Sequence, residues 1–585
     1  MTGYRPKAKV VHGEVAMKHL SFQPKLFSLL RSGISKKQIF DDINAGLIVG
    51  IVALPLAIAF AIASGVSPDK GIITAIVAGF LISFLGGSRV QIGGPTGAFI
   101  VIIYAIVIEH GVTGLIVSTF MAGLILILLG AARLGGLLRY IPYPLIVGFT
   151  SGIAVIIFSS QINDFLGLGI EKVPADFIDK WKLYALHVDN INWYAAAIAA
   201  ASILITVGFR RISRKIPGSV IAIIFLTSLV HLLELPVLTI ESMFGDIPHT
   251  FPMPSLPQFN FKTIQSLIQP AFAIAFLGAI ESLLSAVISD GMIGGKHRSN
   301  TELIAQGIAN CTSALFGGIP ATGAIARTAT NINNGGRTPV AGIVHSIVLL
   351  LIMLIFAPLA KLIPMACLAG ILVVVAFHMS EWRQFLSLLK GNRYDVIVLL
   401  TTFFLTVVFD LVIAIQVGII LSSFILMKRM SDSLMIKKSV DLFNHDFNNQ
   451  EIFEEESIVI PKDVMLYEIS GPLFFGAAQA FQDTFHEISD PPKIFIIRLR
   501  EVPFIDATGI YRLKEIIVEF QKNNIEVVLS GARHSVQADL IKNNIYSVLS
   551  KENIAKDIYK AIERANSILN QKQNQTDNKT DSGID

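Results

Sequence analysis

Between residues 44 and 427 this chain repeats apolar runs, many of them 17 to 22 residues long and nearly free of charge. A run of about 18 or more such residues is what an α-helix needs to cross the hydrocarbon core of a bilayer. Only 15% of the residues are charged, against roughly 25% in soluble domains, while 53% are hydrophobic. The sequence therefore predicts a polytopic membrane protein. Its net charge of +4 singles out no nucleic-acid partner. Cys311 and Cys367 both sit in apolar stretches, which suits neither a metal site nor a secreted disulfide framework. The start of the chain is basic without an early apolar core and cleavage site, so no cleaved signal peptide is expected.

Fourteen candidate segments follow: 44–65, 71–87, 96–109, 112–132, 141–161, 191–208, 218–234, 268–289, 300–316, 322–333, 339–357, 364–380, 394–410 and 411–427. With the N-terminus inside, the inner loops carry thirteen Lys and Arg and the outer loops six. That asymmetry obeys the positive-inside rule and puts both termini in the cytoplasm. Residues 1–40 form a basic arm and 41–430 the transmembrane domain. After Met430, DVMLYEIS, KIFIIRL and IEVVLSG read as buried strands, with amphipathic helices near 475–488, 509–522 and 553–569. This alternation predicts a small α/β domain over 455–570. The polar tail 571–585, without aromatics, is expected to be disordered.

Two short stretches repeat one design. GGPTGAFIVII starts at Gly93 and GGIPATGAIARTATN at Gly317, and each leads through a proline into Thr-Gly-Ala, at Thr96-Gly97-Ala98 and Thr322-Gly323-Ala324. The segments that follow, 96–109 and 322–333, are roughly 21 and 18 Å long as helices, short of a core about 30 Å thick. Each is expected to begin inside the membrane, with Gly93-Gly94 and Gly317-Gly318 letting extended backbone approach a ligand. They fall in the third and the tenth segments, which fits seven plus seven. An odd number per repeat inverts one half against the other, so both helix starts point at the midplane. Interrupted segments at matching positions of two halves mark a transporter's binding site. Free amides and helix dipoles at two converging starts favour an anion, and Arg327 adds a full charge.

Glu281 is the acid within the long apolar segment PAFAIAFLGAIESLLSAVIS. An intramembrane carboxylate is a functional hypothesis by default. It serves either a coupling proton or cation, with Ser282 and Ser285 beside it, or a structural ion pair with Arg327. Phe60 either packs on substrate or faces lipid and core. His231 and His345 read as structural, Asp410 as a turn residue, and Asn310 and Gln306 as helix-bridging amides. No Ser-His-Asp set, metal-ligand cluster or P-loop occurs, so neither enzymatic chemistry nor ATP-driven pumping is expected.

LPLAIAFAIASGVSPDKGI, LGGSRVQIGGPTGAF, GAIESLLSAVISDGM and GGIPATGAIARTATN resemble the SulP anion permease family, relatives of prestin, and the C-terminal part resembles its STAS domain. The resemblance runs from about Asp41 to Asn570. It implies two intertwined seven-helix inverted repeats arranged as core and gate domains, in a dimer whose core moves like an elevator. It implies an anion between the third and tenth segments near Phe60, Thr96, Gly97, Ala98, Gly323, Ala324, Ala326 and Arg327, with Glu281 beside it. Members carry sulfate, bicarbonate, chloride, oxalate or dicarboxylates. The stretch Gly278–Asn331 is most similar to bacterial proton-coupled members, including a dicarboxylate carrier. A bicarbonate-type relative has Asp at the Glu281 position and uses sodium. Many animal members have Gln where this chain has Leu56 and Ser where it has Ala326, so their specificity does not carry over. The expectation is a secondary active anion carrier of a bacterial inner membrane, without cofactor, coupled to H+ or Na+ through Glu281 and Ser285. The alternatives are a bicarbonate or C4-dicarboxylate symporter, an anion channel, and a nucleobase permease, the last disfavoured by Arg327 and the STAS domain. Asp506-Ala507-Thr508-Gly509 matches the loop that stand-alone STAS proteins phosphorylate, so Thr508 is either a switch or a helix N-cap.

Overall fold

An α-helix closes its own backbone hydrogen bonds, so a chain this apolar folds as helices wherever it meets lipid. The computed structural model describes the backbone of residues 22–136, 142–170, 172–212, 218–245, 250–257, 261–409, 411–432, 435–438, 460–475 and 492–581. Its contacts divide it into two units, Met1–Ile419 and Ile420–Asp585.

The first unit begins with α1 (Lys25–Ser32), α2 (Lys36–Ala63) and α3 (Pro68–Leu85), then the two-residue strand β1 (Gly93–Gly94) and α4 (Gly97–Ala131, whose first turn is 3-10). There follow α5 (Tyr143–Leu166), α6 (Phe177–Leu186), α7 (Trp193–Ile212), α8 (Gly218–Leu232), α9 (Ile240–Phe244), α10 (Phe261–Ile293) and α11 (Ser299–Leu315). The strand β2 (Thr322–Gly323) and α12 (Ile325–Asn333) come next, then α13 (Val340–Ala360), α14 (Met365–Met379), α15 (Trp382–Leu389), α16 (Arg393–Val408) and α17 (Leu411–Asp432), within which the boundary between the units falls. Among the described residues, seven helices are long and apolar enough to cross a membrane.

Each expected segment coincides with one of these helices or half of one, consistent with fourteen crossings. The third and fourth share α4, which breaks at Gly111 (φ 68°, ψ −177°), a conformation that suits glycine. The expected loop at 110–111 is thus one residue of bent helix. The helices fall into two packing groups. α4 lies on α10 and α11, and α2 on α3 and α13; α5 lies on α14 and α16, and α7 on α8 and α14. These groups match the core and gate division. Side chains of Asp410, Arg139, Arg214, Lys215 and most of the N-terminal arm lie outside the described residues, as does the helix expected near 475–488.

In the second unit, strands β3 (Met435–Lys438), β4 (Val464–Ser470), β5 (Ile494–Glu501), β6 (Glu526–Ser530) and β7 (Ile554–Ala555) form one sheet in that order. β3 is antiparallel and the rest parallel. The three expected strands are β4, β5 and β6, and their apolar runs are buried because helices cover parallel sheets. α18 (Ala507–Lys522), α19 (His534–Lys542) and α20 (Ile558–Asp581) complete the unit. The tail is a correction: α20 continues through residues 571–581, which the composition placed in disorder. Its first turns bury Ile558, Ala561, Ala565 and Ile568, and a helix once nucleated extends at little cost.

Candidate functional site

The loop entering the first half-helix is fixed by side chains from elsewhere. The Glu302 carboxylate of α11 accepts from the amides of Gly87 (2.8 Å) and Ser88 (3.0 Å). From α12, the Asn331 amide donates to the Val90 carbonyl at 2.8 Å, and Thr328 Oγ1 accepts from the Ile92 amide at 3.0 Å. The loop entering the second half-helix is held the same way. Asn310 accepts from the Ala321 amide (2.8 Å) and donates to its carbonyl (2.9 Å), while Thr74 Oγ1 accepts from the Ile319 amide at 2.7 Å. Asn310 therefore braces a loop rather than a neighbouring helix.

So held, the two loops run antiparallel and pair, Gly93 with Gly323 and Gly94 with Thr322. The α4 and α12 starts therefore lie side by side. Their cap residues, Thr96 and Ala324, give no side-chain hydrogen bond to the first amides. Gly323 is required by space: a Cβ there would run into the Gln91 side chain, whose amide donates to the Ser282 carbonyl at 3.1 Å. α12 is only nine residues long, shorter than expected, because Thr322-Gly323 is strand. Gly317-Gly318 is a correction. It forms the turn that ends α11, with the Gly318 amide on the Ser313 carbonyl at 2.8 Å, because Asn310 and Thr74 pin the loop beyond it.

α10 crosses behind this junction. Glu281, partly exposed, accepts from Thr96 Oγ1 at 2.9 Å. Ser282 Oγ is 2.6 Å from Thr322 Oγ1 and accepts from the Gly323 amide at 3.2 Å. Ser285, one turn on, is buried with its hydroxyl unpartnered among the described residues. Arg327 is 2% exposed. One guanidinium nitrogen donates to the Pro95 carbonyl and Nη1 has no partner among the described residues. The ion pair with Glu281, offered above as an alternative, does not form: the carboxylate is on Thr96 and the guanidinium on Pro95. The arrangement carries one acid and one base within the same junction, each held by the opposite half-helix or its neighbour.

Phe60 comes to Gly97: its Cε1 and Ile157 Cδ1 lie 3.5 Å, and Met379 Sδ 3.0 Å, from where a Cβ on Gly97 would stand. Ala98 and Ala324 are buried; Ala326, in the first turn of α12, is exposed. Thr508 stands apart in the second unit. It is exposed, and the N-cap of α18 is Asp506, whose carboxylate accepts from the Gly509 amide at 2.7 Å. The capping alternative for Thr508 is thereby corrected, because the residue lies one position inside the helix. Among the described residues no cluster of His, Cys, Asp or Glu could hold a metal ion.

Sequence reasoning missed Gln91, Glu302, Thr328 and Asn331. The available signal was their polarity inside segments otherwise apolar, strongest in TELIAQGIAN, where Glu302 and Gln306 lie one turn apart.

The sulfate permease family model matches residues 39–402, and the STAS domain model residues 457–562. The putative sulfate transporter YvdB of Bacillus subtilis (strain 168) is 38% identical over 530 residues, covering 90% of this chain and 98% of its own length. The chain belongs to the sulfate permease family. The permease is accordingly a multi-pass membrane protein and an anion transporter, not an enzyme, with a C-terminal STAS domain. The bicarbonate transporter BicA of Picosynechococcus sp. (strain ATCC 27264 / PCC 7002 / PR-6) is 29% identical over 542 residues, covering 90% of this chain and 95% of its own. The solved transmembrane domain of a cyanobacterial BicA is 30% identical and covers 66% of this chain and 98% of its own, with a TM-score of 0.60. SLC26A9 matches over 94% of this chain and 93% of its own with a TM-score of 0.82; at 18% identity this bears on the fold alone.

Proposed function

We propose that the permease is a secondary active carrier of small anions, which binds its substrate between the starts of α4 and α12 and couples uptake to H+ or Na+ at Glu281 and Ser285. The antiparallel pairing of Gly93-Gly94 with Thr322-Gly323 carries this reading. It sets two uncapped helix starts together, and two sets of free amides with parallel dipole charge are an anion receptor. Thr96, Gly97 and Ala98 offer the first set and Ala326 the second; the Gly323 and Ala324 amides are already on Ser282 Oγ and the Ile92 carbonyl, so these two residues line the pocket, and Phe60 walls it beside Gly97. Arg327 raises the positive potential from behind Pro95. Glu281 is bonded to the Thr96 hydroxyl, so a change in its charge state is felt at the first set directly, which is a physical route for coupling.

Sulfate, bicarbonate and C4-dicarboxylates all suit a pocket of amides and one charge. The names of the relatives point to sulfate and bicarbonate, and the chain's own carboxylate at position 281 agrees with a driving cation. The carrier works as a homodimer in a bacterial inner membrane with both termini cytoplasmic, the orientation favoured by its loop charges. Thr508 is an exposed site on the STAS domain open to phosphorylation. The test is uptake of labelled sulfate, bicarbonate and succinate into proteoliposomes, each with and without a Na+ or pH gradient. Saturable, gradient-dependent uptake of at least one anion is expected. Flux that rises linearly with concentration and ignores the gradients would assign the protein to channels.

A further inference from the structure

The loop joining α5 to α7 carries α6, and α6 places a lysine where lysines seldom go. Asp176 caps the helix by accepting from the amides of Ile178 and Asp179, at 2.9 and 3.0 Å. One turn on, Lys180 points inward and is 2% exposed. Its ammonium lies 5.9 Å from the centre of the Tyr104 ring, and Tyr104 is fixed by donating its hydroxyl to the Val173 carbonyl at 2.6 Å. Lys180 has no ion-pair partner among the described residues, whereas its neighbour Lys182 pairs with Asp179 at 2.9 Å. Buried lysines are rare unless paired, because taking an ammonium out of water costs several kcal/mol.

What Lys180 faces is a cavity of about 480 Å³. Its walls include Tyr104 and His110 of α4, Ser160 of α5, Gln269 of α10 and Thr406 of α16. It therefore opens between the two helix groups. It also runs along the first half-helix from His110 down to Ile100, three residues from the Gly97 start.

We propose that this cavity is a waiting site for the transported anion at the mouth between the helix groups, with Lys180 as the cation that holds it. The inference rests on the carrier reading above and adds a second binding position to it. Two carboxylates also line the cavity, but Glu109 is largely exposed and Asp176 is engaged by the α6 amides, so the unpaired ammonium beside hydroxyl and amide groups suits a small oxyanion that keeps part of its water. An anion held there has the exposed side of one half-helix as its path to the paired starts.

The site should also sense pH. α6 lies in a loop, outside the spanning segments, and burial lowers the Lys180 pKa to about 8, with Asp176 opposing the shift. The other titratable groups around it are Tyr104, Glu109 and His110 from α4, Asp164 from α5 and Tyr184 from α6 itself; α10 and α16 contribute only Ser266, Gln269 and Thr406, which do not titrate. The protonated lysine is the form that binds an anion, so capture is nearly complete well below the pKa, half lost at about pH 8 and fades further above it.

Two measurements on the full-length protein test this. In cells, initial uptake of labelled sulfate, bicarbonate and succinate gives an external KM for any anion that saturates. Lys180→Met should raise that KM roughly three- to tenfold, the range of one partly screened charge, with little change in Vmax, while Lys180→Arg keeps the wild-type value. Between pH 7 and 9 the wild-type KM should climb more steeply than that of either variant, since neither Met nor Arg loses a proton there. The second measurement needs no transport. The chain has three tryptophans, and the Trp181 indole donates to the Ser159 hydroxyl at 3.1 Å, beside the cavity wall. In a Trp193→Phe, Trp382→Phe background, iodide should quench Trp181 less after Lys180→Met, and less at pH 9 than at pH 7, with neutral acrylamide unaffected. An unchanged KM in Lys180→Met, or iodide quenching indifferent to position 180, overturns the proposal. Absence of wild-type uptake with Lys180-dependent quenching would instead refute the carrier reading and leave the anion site standing.

Discussion

Three helices of this permease start on nearly the same residues: Thr96-Gly97-Ala98 at α4, Thr322-Gly323-Ala324 at α12 and Ala507-Thr508-Gly509 at α18. In the soluble unit the start is closed, since the Asp506 carboxylate sits on the Gly509 amide at 2.7 Å. In the membrane unit neither cap residue supplies a side-chain oxygen. A capping carboxylate occupies the place an external anion would take, so the difference separates a helix finished for stability from two left open to a ligand. The two open starts differ as well. The first half of α4 is apolar and has its Thr96 hydroxyl on Glu281. α12 is nine residues long and buries Arg327, Thr328 and Asn331, which reach across to Pro95, Ile92 and Val90. One backbone device thus carries two chemistries: one start is tied to an acid, while the other supplies the base and the bracing.

The largest expected effect is on the base. Arg327→Ala removes the charge and strips the Pro95 carbonyl of its donor; uptake in proteoliposomes should fall by about a hundredfold or more while the detergent-solubilised protein still melts cooperatively. Uptake near the wild-type rate would erase the asymmetry between the two starts. Next comes space. Gly323→Ala drives a methyl into Gln91 and should destabilise by about 1–3 kcal/mol with loss of most uptake, whereas Gly97→Ala meets Phe60 and Ile157 at van der Waals range and crowds only the flexible Met379 side chain, its Sδ at 3.0 Å, and should cost about 1 kcal/mol or less. Equal melting shifts for the two alanines would show the starts to be equally packed.

The acid comes third. Glu281→Gln keeps a hydrogen-bonding group on Thr96 but not the charge, so uptake measured against pH and Na+ gradients should lose its dependence on one of them. Thr96→Ala breaks the same link at about 1 kcal/mol and should shift the dependence less; a gradient response intact in both variants would return Glu281 to structure. The smallest effect belongs to the closed start. Asp506→Ala should lower the stability of the permease's STAS unit by about 1 kcal/mol and Thr508→Ala by less than about 0.5 kcal/mol, both read as urea midpoints. The reverse order would restore Thr508 as the cap.

The legible parts of this protein were those set by local physics. An apolar run long enough to span lipid has one backbone solution, so the helices were readable with their ends off by up to eight residues, as at the α2 start, and Thr96, Glu281 and Arg327 stood out because polar groups in such runs are expensive. Less was readable where partners come from afar. Nothing within Gly317-Gly318 says that Asn310 and Thr74 will hold the following loop and move the strand to Thr322-Gly323. No local pattern pairs Thr96 with Glu281, 185 positions on, or rules out the alternative ion pair of Glu281 with Arg327. The α20 extension was missed because composition measures what a segment can bury, not whether a packed helix precedes it.

From the sequence by itself came the membrane class, the two shortened segments and the residues fit for an anion and its counter-charge, because each follows from the cost of polar atoms in lipid and from helix length. Only the tertiary structure decided that the two starts meet as a strand pair, that the acid and the base face different partners, and that Lys180 is buried over a cavity. Those are outcomes of which distant surfaces pack together, and packing is settled by the whole set of contacts at once rather than by any stretch of the chain.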